Sequence, residues 1–234
     1  MDRTTAAADD EPYGALVIGV PWEDVGTAPG AEDAGALNIL YGAGGGLSAS
    51  GDQFWSQNSA RVNGTVEDFD WFGSALAVGD FDGDGDFDLA VGVPGEGAGG
   101  VSGAGVVQVF YSAKGRLTAA GNQIWSQGTP LVEGALELSD GFGAALAAGN
   151  FNGDAYDDLA VGVPDEDIDD VTNAGAVNVI YGYGSGLGES PQFWHQDVSG
   201  VSGEAEEGDA FGFALVAMPT VKHQVFLPLV LRNY

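Results

Sequence analysis

The sequence predicts an all-β fold built from repeated four-stranded sheets, and three observations support this prediction. Apolar segments such as LNILY and VQVFY alternate with the two-residue period of a half-buried strand. Forty glycines among abundant Val, Phe, Tyr and Trp are typical of many short strands joined by tight turns. Helical periodicity is nearly absent, whereas residues 71–94 return in closely similar form as residues 141–164. The chain is therefore expected to fold as a series of repeated β units.

Each repeat of about 70 residues contains the same four elements in the same order. The first follows Phe-Gly, the second ends at Gly-Val-Pro, the third ends at a tyrosine and the fourth surrounds a tryptophan. The recurring markers are Phe72, Phe142 and Phe211; Pro94 and Pro164; Tyr41, Tyr111 and Tyr181; and Trp55, Trp125 and Trp194. Repetition at a fixed period favours core packing of these phenylalanines and tryptophans over a ligand platform. Four-stranded units with such markers are typical of β-propeller blades.

The repeat divides the chain into five parts. These are an N-terminal extension, 1–12; an incomplete blade with the last three strands, 13–71; two complete blades, 72–141 and 142–210; and residues 211–234, with a first strand at 211–218 and an apolar tail. Joined as one split blade, the two ends bring the total to about three blades, fewer than the usual four to eight or so. A ring completed by self-association, an open wedge and a fragment of a longer protein remain open, and we favour a partial propeller.

The two complete copies, FGSALAVGDFDGDGDFDLAVGVP and FGAALAAGNFNGDAYDDLAVGVP, resemble FG-GAP repeats, the blades of the integrin α-subunit β-propeller. The Phe-Gly of that family stands at 72–73, 142–143 and 211–212, and its Gly-Ala-Pro is Gly-Val-Pro here, at 92–94, 162–164 and 19–21. The resemblance implies a β-propeller with calcium in the loop between the first two strands of a blade. Since such repeats also occur in bacterial surface and secreted proteins, we expect a bacterial type.

Independently of the family, the loop DFDGDGDFD at residues 80–88 has the chemistry of a calcium site. Asp80, Asp82 and Asp84, followed by Gly85, fit the pattern D-x-[DN]-x-[DN]-G. In that pattern the glycine turns the chain so that successive carboxylates converge on one cation. Oxygen ligands without His or Cys favour calcium over zinc or copper.

Two further residues complete the predicted set of ligands in this loop. Asp88, at the ninth position, begins the next strand, and Asp86, at the seventh, offers its backbone carbonyl. The loop differs from an EF-hand, because Val91 stands at the twelfth position where an EF-hand has glutamate. The alternative is a solvated Asp-Gly turn, for which such residues are ordinary but five alternating aspartates are more than a turn needs.

The second loop, NFNGDAYDD, is predicted to bind calcium more weakly. Its ligands would be the side chains of Asn150, Asn152, Asp154 and Asp158 and the carbonyl of Tyr156. Asn150 replaces the first aspartate and Ala155 replaces the glycine, so two side-chain ligands are charged, against four in the first loop. No site is expected in the N-terminal unit, where Ala15 takes the ninth position, or in the C-terminal unit, where 219–226 carry no acid.

The composition restricts the possible partners. Thirty-five Asp and Glu against six Lys and Arg give a formal net charge of −29. Such an acidic surface repels nucleic acid and anionic membranes and attracts cations. No apolar segment approaches the roughly 18 residues of a membrane span, and no signal peptide is visible.

The sequence favours a binding module over an enzyme. The histidines, His195 and His223, have no nucleophile motif or paired ligand beside them, and no catalytic constellation is recognisable. We expect a calcium-binding propeller segment, extracellular or on the cell surface, that recognises a protein or glycan in adhesion. Two alternatives remain: a non-catalytic accessory propeller of a hydrolase or phospholipase type protein, and a degenerate fragment of a longer FG-GAP protein.

Overall fold

A computed structural model describes residues 13–26 and 31–218 of the chain. The predicted N-terminal extension and the apolar tail beyond residue 218 lie outside the described residues. Within them there are thirteen strands and no helix, and so no helix that is long and apolar enough to cross a membrane. The strands are β1 (Ala15–Val20), β2 (Ala36–Ala43), β3 (Gly46–Trp55), β4 (Ala75–Gly79), β5 (Asp88–Val93), β6 (Val106–Phe110), β7 (Ser112–Ala113), β8 (Arg116–Leu117), β9 (Gln123–Trp125), β10 (Ala145–Gly149), β11 (Asp158–Val163), β12 (Ala176–Tyr183) and β13 (Gly186–Trp194).

The strands form three antiparallel sheets, which we name the first, second and third blades. The first has the strand order β1-β2-β3, the second β4-β5-β6-β9 and the third β10-β11-β12-β13. The short strands β7 and β8 form a separate hairpin between the third and fourth strands of the second blade. This topology confirms the predicted all-β fold with four-stranded blades of the propeller type.

The same backbone contact joins one blade to the next at both junctions. The N–H of Phe72 donates to the carbonyl of Ala34 in the first blade, and the N–H of Phe142 donates to that of Ala104 in the second, both at 2.9 Å. Both phenylalanines are fully buried in the apolar cores that fill the junctions, and Trp125 is buried against the third blade. Core packing of these repeated aromatic residues is confirmed.

The last blade departs from this pattern. Trp194, at the position of Trp125, is 36 % exposed, so the prediction of a buried tryptophan is wrong there. Trp125 packs in the core between the second and third blades, whereas no blade follows the third one among the described residues.

Residues 211–218 form no strand, contrary to the prediction. They pack on the third blade through Leu215 and Ala217, and the N–H of Phe211 donates to the carbonyl of Ala174 at 2.9 Å. The segment therefore docks as a first strand would. It lacks strand character because a strand requires ladder hydrogen bonds to a neighbour, and no second strand lies beside it among the described residues.

The second and third blades approach each other closely at a glycine. A Cβ atom on Gly92 would lie 2.1 Å from the carbonyl oxygen of Gly143. Because the contacting oxygen belongs to the backbone and cannot rotate away, we expect Gly92→Ala to lower the free energy of unfolding by about 3 kcal/mol.

Urea denaturation followed by tryptophan fluorescence measures this loss. The matched control is Gly45→Ala, whose Cβ would meet nothing within 4 Å, and it should stay within about 0.5 kcal/mol of the parent. Equal stability of the two variants would contradict the close packing of the blades.

Candidate metal centre

The acidic loop of the second blade is the connection between β4 and β5. Gly79 at the end of β4 pairs with Asp88 at the start of β5, so residues 80–87 form the turn of a hairpin. Gly83 and Gly85 have φ angles of 74° and 93°. This left-handed conformation is accessible to glycine without strain, and it folds the loop back towards its own start.

The folded loop brings three carboxylates together at the end of the hairpin. One oxygen from each of Asp80, Asp82 and Asp88 lies within 4.8 Å of the others. All three residues were predicted as calcium ligands from the sequence. Their convergence provides several hard oxygen donors around one centre, which is the donor set that calcium takes.

Asp88 is the buried member of this group, and backbone amides hold it in place. Its Oδ2 accepts the N–H of Phe81 and its Oδ1 accepts the N–H of Ser112, both at 3.0 Å. Burial raises the pKa of Asp88 to about 7; the amide hydrogen bonds lower it, and the charges of Asp82 and Asp84 raise it further. The carboxylate is therefore rigidly placed and poorly solvated.

Asp80 and Asp82 contribute the more accessible carboxylates. Burial also raises the pKa of Asp82, and the negative charges of Asp84 and Asp80 act in the same direction. The Oδ2 atom of Asp80 accepts the N–H of Gly85 at 3.2 Å, but its Oδ1 is buried and has no hydrogen-bond partner. A buried oxygen without a donor is costly, and contact with a cation would offset that cost. The residues therefore fit a hard divalent cation.

Asp84 and Asp86 do not join the three converging side chains. The Oδ1 atom of Asp84 accepts the N–H of Asp86 at 2.8 Å, and the Oδ2 atom of Asp86 accepts the N–H of Lys114 at 2.7 Å. The side chain of Asp86 is thus tied to the turn between β7 and β8, which leaves its carbonyl as the group predicted to bind. The ligand roles of both residues stay predictions.

A residue of the third blade that no sequence motif indicated supports the loop. The Oδ2 atom of Asp157 accepts the N–H of Asp80 at 3.0 Å, and the N–H of Asp157 donates to the carbonyl of Asp80 at 2.9 Å. The ring of Tyr156 lies against Gly83, where a Cβ would come within 2.6 Å of it. Since Asp80 and Asp157 are 77 positions apart, no local motif joins them. The only signal was that the two loops occupy equivalent places in adjacent blades.

The corresponding loop of the third blade satisfies its amides internally. Asn150 donates its Nδ2 to the carbonyl of Asp154 at 2.7 Å, and Asn152 donates its Nδ2 to the Oδ2 of Asp154 at 2.8 Å. The Oδ1 of Asp154 accepts the N–H of Tyr156 at 2.8 Å. These contacts replace charge repulsion with amide hydrogen bonds. Weaker calcium binding by this loop stays a prediction. The carbonyl of Tyr156 stays a predicted ligand.

Asp158 reproduces the setting of Asp88 in this second loop. Its oxygens accept the N–H groups of Phe151 at 2.7 Å and Gly182 at 3.0 Å, and burial raises its pKa. Both blades therefore build the same buried anchor for the ninth residue of the loop, although among the described residues three carboxylates converge only in the second blade.

The N-terminal and C-terminal units, where we expected no site, are only partly described. Ala15 begins β1, while the residues before position 13 lie outside the described residues. The acid-free segment 219–226 and His223 lie outside them as well.

The repeat family and the fold define the class of protein. The family model of the FG-GAP repeat matches residues 72–110 and 142–180, which are the first three strands of the second and third blades. The chain therefore contains two FG-GAP repeats, carried on blades of the propeller type.

Among characterised proteins, the chain is similar to phosphatidylinositol-glycan-specific phospholipase D. The Bos taurus protein is 32 % identical over 165 residues, and the Homo sapiens protein is 31 % identical over 162 residues. Each match covers 69 % of this chain but only 18 % of the relative, so the chain spans less than a fifth of the length of these relatives. Both are animal proteins, and the expectation of a bacterial type is not borne out.

Proposed function

We propose that the chain is a calcium-binding propeller segment that serves as an extracellular or cell-surface binding module for a protein or glycan. The observation that supports calcium most directly is the convergence of one carboxylate oxygen from each of Asp80, Asp82 and Asp88 within 4.8 Å, in a group where Asp80 also has a buried Oδ1 without a hydrogen-bond partner. The alternative of a solvated turn accounts for the glycines but not for this convergence.

In this proposal the metal has a structural role. Asp80, Asp82 and Asp88 would hold it, with Asp84 and the carbonyl of Asp86 as further ligands. Calcium would supply positive charge that offsets the repulsion among these carboxylates. The chain itself orients the site: backbone amides fix Asp88, and Asp157 holds the backbone of Asp80 from the next blade.

The proposed adhesion role rests on the likeness of the blades to those of integrin α subunits and on the charge of the surface. A formal net charge of −29 favours ligands with basic side chains and disfavours anionic polymers. We assign no catalytic activity to the chain itself.

An accessory propeller of a phospholipase type protein is the second candidate function. The similarity to phosphatidylinositol-glycan-specific phospholipase D favours it, because the match covers only 18 % of that enzyme. In this case catalysis would reside in another part of the protein. A catalytic domain in the same reading frame would support this candidate, whereas capture of a matrix protein or glycan by the chain alone would support the first.

Calcium is expected to raise the melting temperature of the chain. A free calcium concentration 100 times the dissociation constant should add about 2.7 kcal/mol to the free energy of unfolding. Differential scanning calorimetry in chelator and across a calcium titration measures this gain. A melting temperature that stays constant throughout the titration would refute the structural role.

Two matched substitutions test whether the calcium-dependent gain in stability comes from the first loop. Asp80→Asn should remove most of the calcium response, with the remainder attributable to the weaker second loop. Asp52→Asn removes an exposed charge on β3 that belongs to neither loop, and should respond to calcium like the parent. If the two variants behave alike, calcium acts through general charge screening rather than through a site.

A further inference from the structure

The first blade exposes apolar residues that its sister blades bury. Leu16 and Ile18 of β1 are 45 % and 38 % exposed. The residues at the same positions of the other blades are Leu89 and Val91 in β5 and Leu159 and Val161 in β11. Those four are at most 2 % exposed, because the preceding blade and their own first strand cover them. The face of β1 is therefore uncovered within the described residues.

Among the described residues no strand pairs with β1 on the side away from β2, and a cavity lies beside β1. A cavity of about 370 Å³ lies between the first and second blades, with Ala15 and Val17 of β1 on one side and Val78 of β4 on the other. At the next junction β10 lies beside β4. The cavity therefore adjoins β1 and β4, the two strands between which, by analogy with the next junction, a first strand of the first blade would lie.

The other end of the described chain presents the complementary element. Residues 211–218 dock on the third blade as the first strand of a following blade, yet Phe213, Val216 and Met218 are 73 %, 85 % and 88 % exposed. A Cβ on Gly162 would lie 2.1 Å from the carbonyl oxygen of Gly212. The same close approach of 2.1 Å occurs at both complete junctions. This end therefore continues an interface that the chain already builds twice.

A polar contact at the junctions also indicates that the two ends of the described chain are complementary. At each complete junction a glutamine amide donates to a buried glutamate: Gln57 to Glu96 and Gln127 to Glu166. Gln196 holds this position at the end of the third blade. Its Oε1, like those of Gln57 and Gln127, is buried without a hydrogen-bond partner, so its surroundings repeat those of the two complete junctions.

The glutamate that would meet Gln196 is present in the first blade. The carbonyls of Glu23, Glu96 and Glu166 each accept an N–H at 2.9 Å from a glycine. These glycines immediately precede the equivalent strands β2, β6 and β12. Glu23 is therefore the equivalent of the two glutamates already paired, and the two ends of the described chain carry opposite halves of one junction.

We propose that residues 211–218 of a second copy of this chain occupy the open edge of β1, and that two copies close a ring of six blades, three from each. Two identical head-to-tail contacts generate a closed ring when the rotation is complete, and six blades lie within the usual range of about four to eight. This proposal goes beyond the calcium-dependent binding function and does not depend on it.

The register of the exchanged strand follows from the complete blades. In the second blade Leu76 pairs with Val91 and Val78 pairs with Leu89, and the third blade repeats this register. The same register joins Leu215 to Ile18 and Ala217 to Leu16 of the second copy.

One backbone hydrogen bond also recurs. The N–H of Gly73 donates to the carbonyl of Gly92 at 3.1 Å, and the equivalent bond of the third blade has the same length. In the ring, Gly212 would donate in the same way to Gly19 of the second copy.

Charge opposes the association, which gives it a recognisable salt dependence. Each copy carries a formal net charge of −29. The Debye length falls from about 30 Å at 0.01 M salt to about 8 Å at 0.15 M, so the fraction of paired chains should rise with salt over this range.

Light scattering coupled to size exclusion tests the proposal on the full chain. At physiological salt the parent should elute with twice the 23.8 kDa mass of one chain. Leu16→Asp and Ile18→Asp place a charge in the contact but are exposed in a single copy, so each should give folded 23.8 kDa monomers with unchanged circular dichroism. Leu131→Asp, at a 72 % exposed position in a loop, is the matched control and should keep the double mass. A monomeric parent, or a heterogeneous mixture of larger species, would overturn the ring.

Disulfide trapping distinguishes exchange between copies from closure within one copy. The chain has no cysteine, so Leu16→Cys and Ala217→Cys introduce the only thiols. Mixing the two single variants under oxidising conditions should give a cross-linked dimer, whereas Leu16→Cys mixed with Phe213→Cys, four residues out of register, should cross-link at least about tenfold less. If the double variant instead forms an internal disulfide in a monomer, the chain closes on itself and the proposal is wrong.

Discussion

Phe72→Ala is expected to lower the free energy of unfolding by about 3–5 kcal/mol, which is a large part of the stability of a domain of this size. Phe72 is fully buried, and its ring packs edge-on against that of Phe110, with 6.2 Å between the ring centroids. Its N–H also joins the second blade to the first through Ala34. Truncation would leave a cavity where two blades meet, and neither sheet can close it without losing its own strand register.

Chemical denaturation of the parent and of two variants measures this loss. Phe72→Leu retains most of the volume and should lose clearly less stability than Phe72→Ala. Phe87→Ala is the matched control, because Phe87 is 70 % exposed and should contribute little. If Phe72→Ala and Phe87→Ala lose the same stability, the Phe-Gly motif does not build the junction between blades.

The repeated architecture could be predicted because every blade carries the same markers. A phenylalanine that returns at blade period must meet the same environment each time, and Phe72 and Phe142 are buried in equivalent junctions. The prediction failed where that environment changes: Trp194 follows the same pattern as Trp125 but has no blade beside it among the described residues.

The candidate metal centre could be predicted in part. Alternating aspartates with glycines indicate a turn with converging carboxylates, and Asp80, Asp82 and Asp88 do converge. The pattern could not show that Asp84 lies outside this group, since the direction of each side chain depends on which backbone amides it meets. The contact of Asp157 with Asp80 was out of reach because it depends on the packing of one blade against another.

The stability of the calcium-free protein is expected to fall steeply as the pH rises from about 5 to about 7. The cause lies in two buried carboxyl pairs, one at each junction between blades, that the sequence analysis did not identify. The pairs are Asp70 with Glu96 and Asp140 with Glu166, and all four side chains are at least nine-tenths buried.

The first pair is held by polar contacts but surrounded by negative charge. Burial raises the pKa of Asp70 to about 7; the N–H of Glu67 partly offsets this, and the charges of Glu96 and Glu67 raise the pKa further. The pKa of Glu96 is also raised, first by burial, while the amide of Gln57 lowers it. Two such carboxyls in contact tend to retain one proton between them.

The second pair has a related setting, in which the two carboxyls are linked by the charge of Asp140 acting on Glu166. Burial raises the pKa of Asp140 to about 6, and Glu137, Asp167 and Asp165 add negative charge around it. Burial raises the pKa of Glu166 to about 7, against the hydrogen bond from Gln127.

The direction of the effect follows from proton linkage. An aspartate or glutamate in the unfolded chain loses its proton near pH 4, whereas each junction of the folded chain still holds one near pH 6. The folded state thus binds more protons, and its stability decreases as the pH rises through this window. Between the pKa values of the unfolded and the folded state, each retained proton lowers the free energy of unfolding by about 1.4 kcal/mol for every pH unit of increase. The two junctions together therefore give about 3 kcal/mol per pH unit. Below about pH 4 the full stabilisation is present, and above about pH 7 no more is lost.

Denaturation at a series of pH values in calcium-free buffer tests this dependence. The double variant Asp70→Asn and Asp140→Asn keeps the shape of both side chains but removes the carboxyl that retains the proton. Its stability should therefore change much less with pH, and it should exceed that of the parent near pH 8. Asp52→Asn, on the exposed face of β3, serves as the control and should follow the parent. The raised pKa of Asp88 acts in the same direction in all these proteins, so the difference between the double variant and the parent isolates the junctions. An identical pH profile for the double variant would show that the buried pairs are ionised in the folded protein.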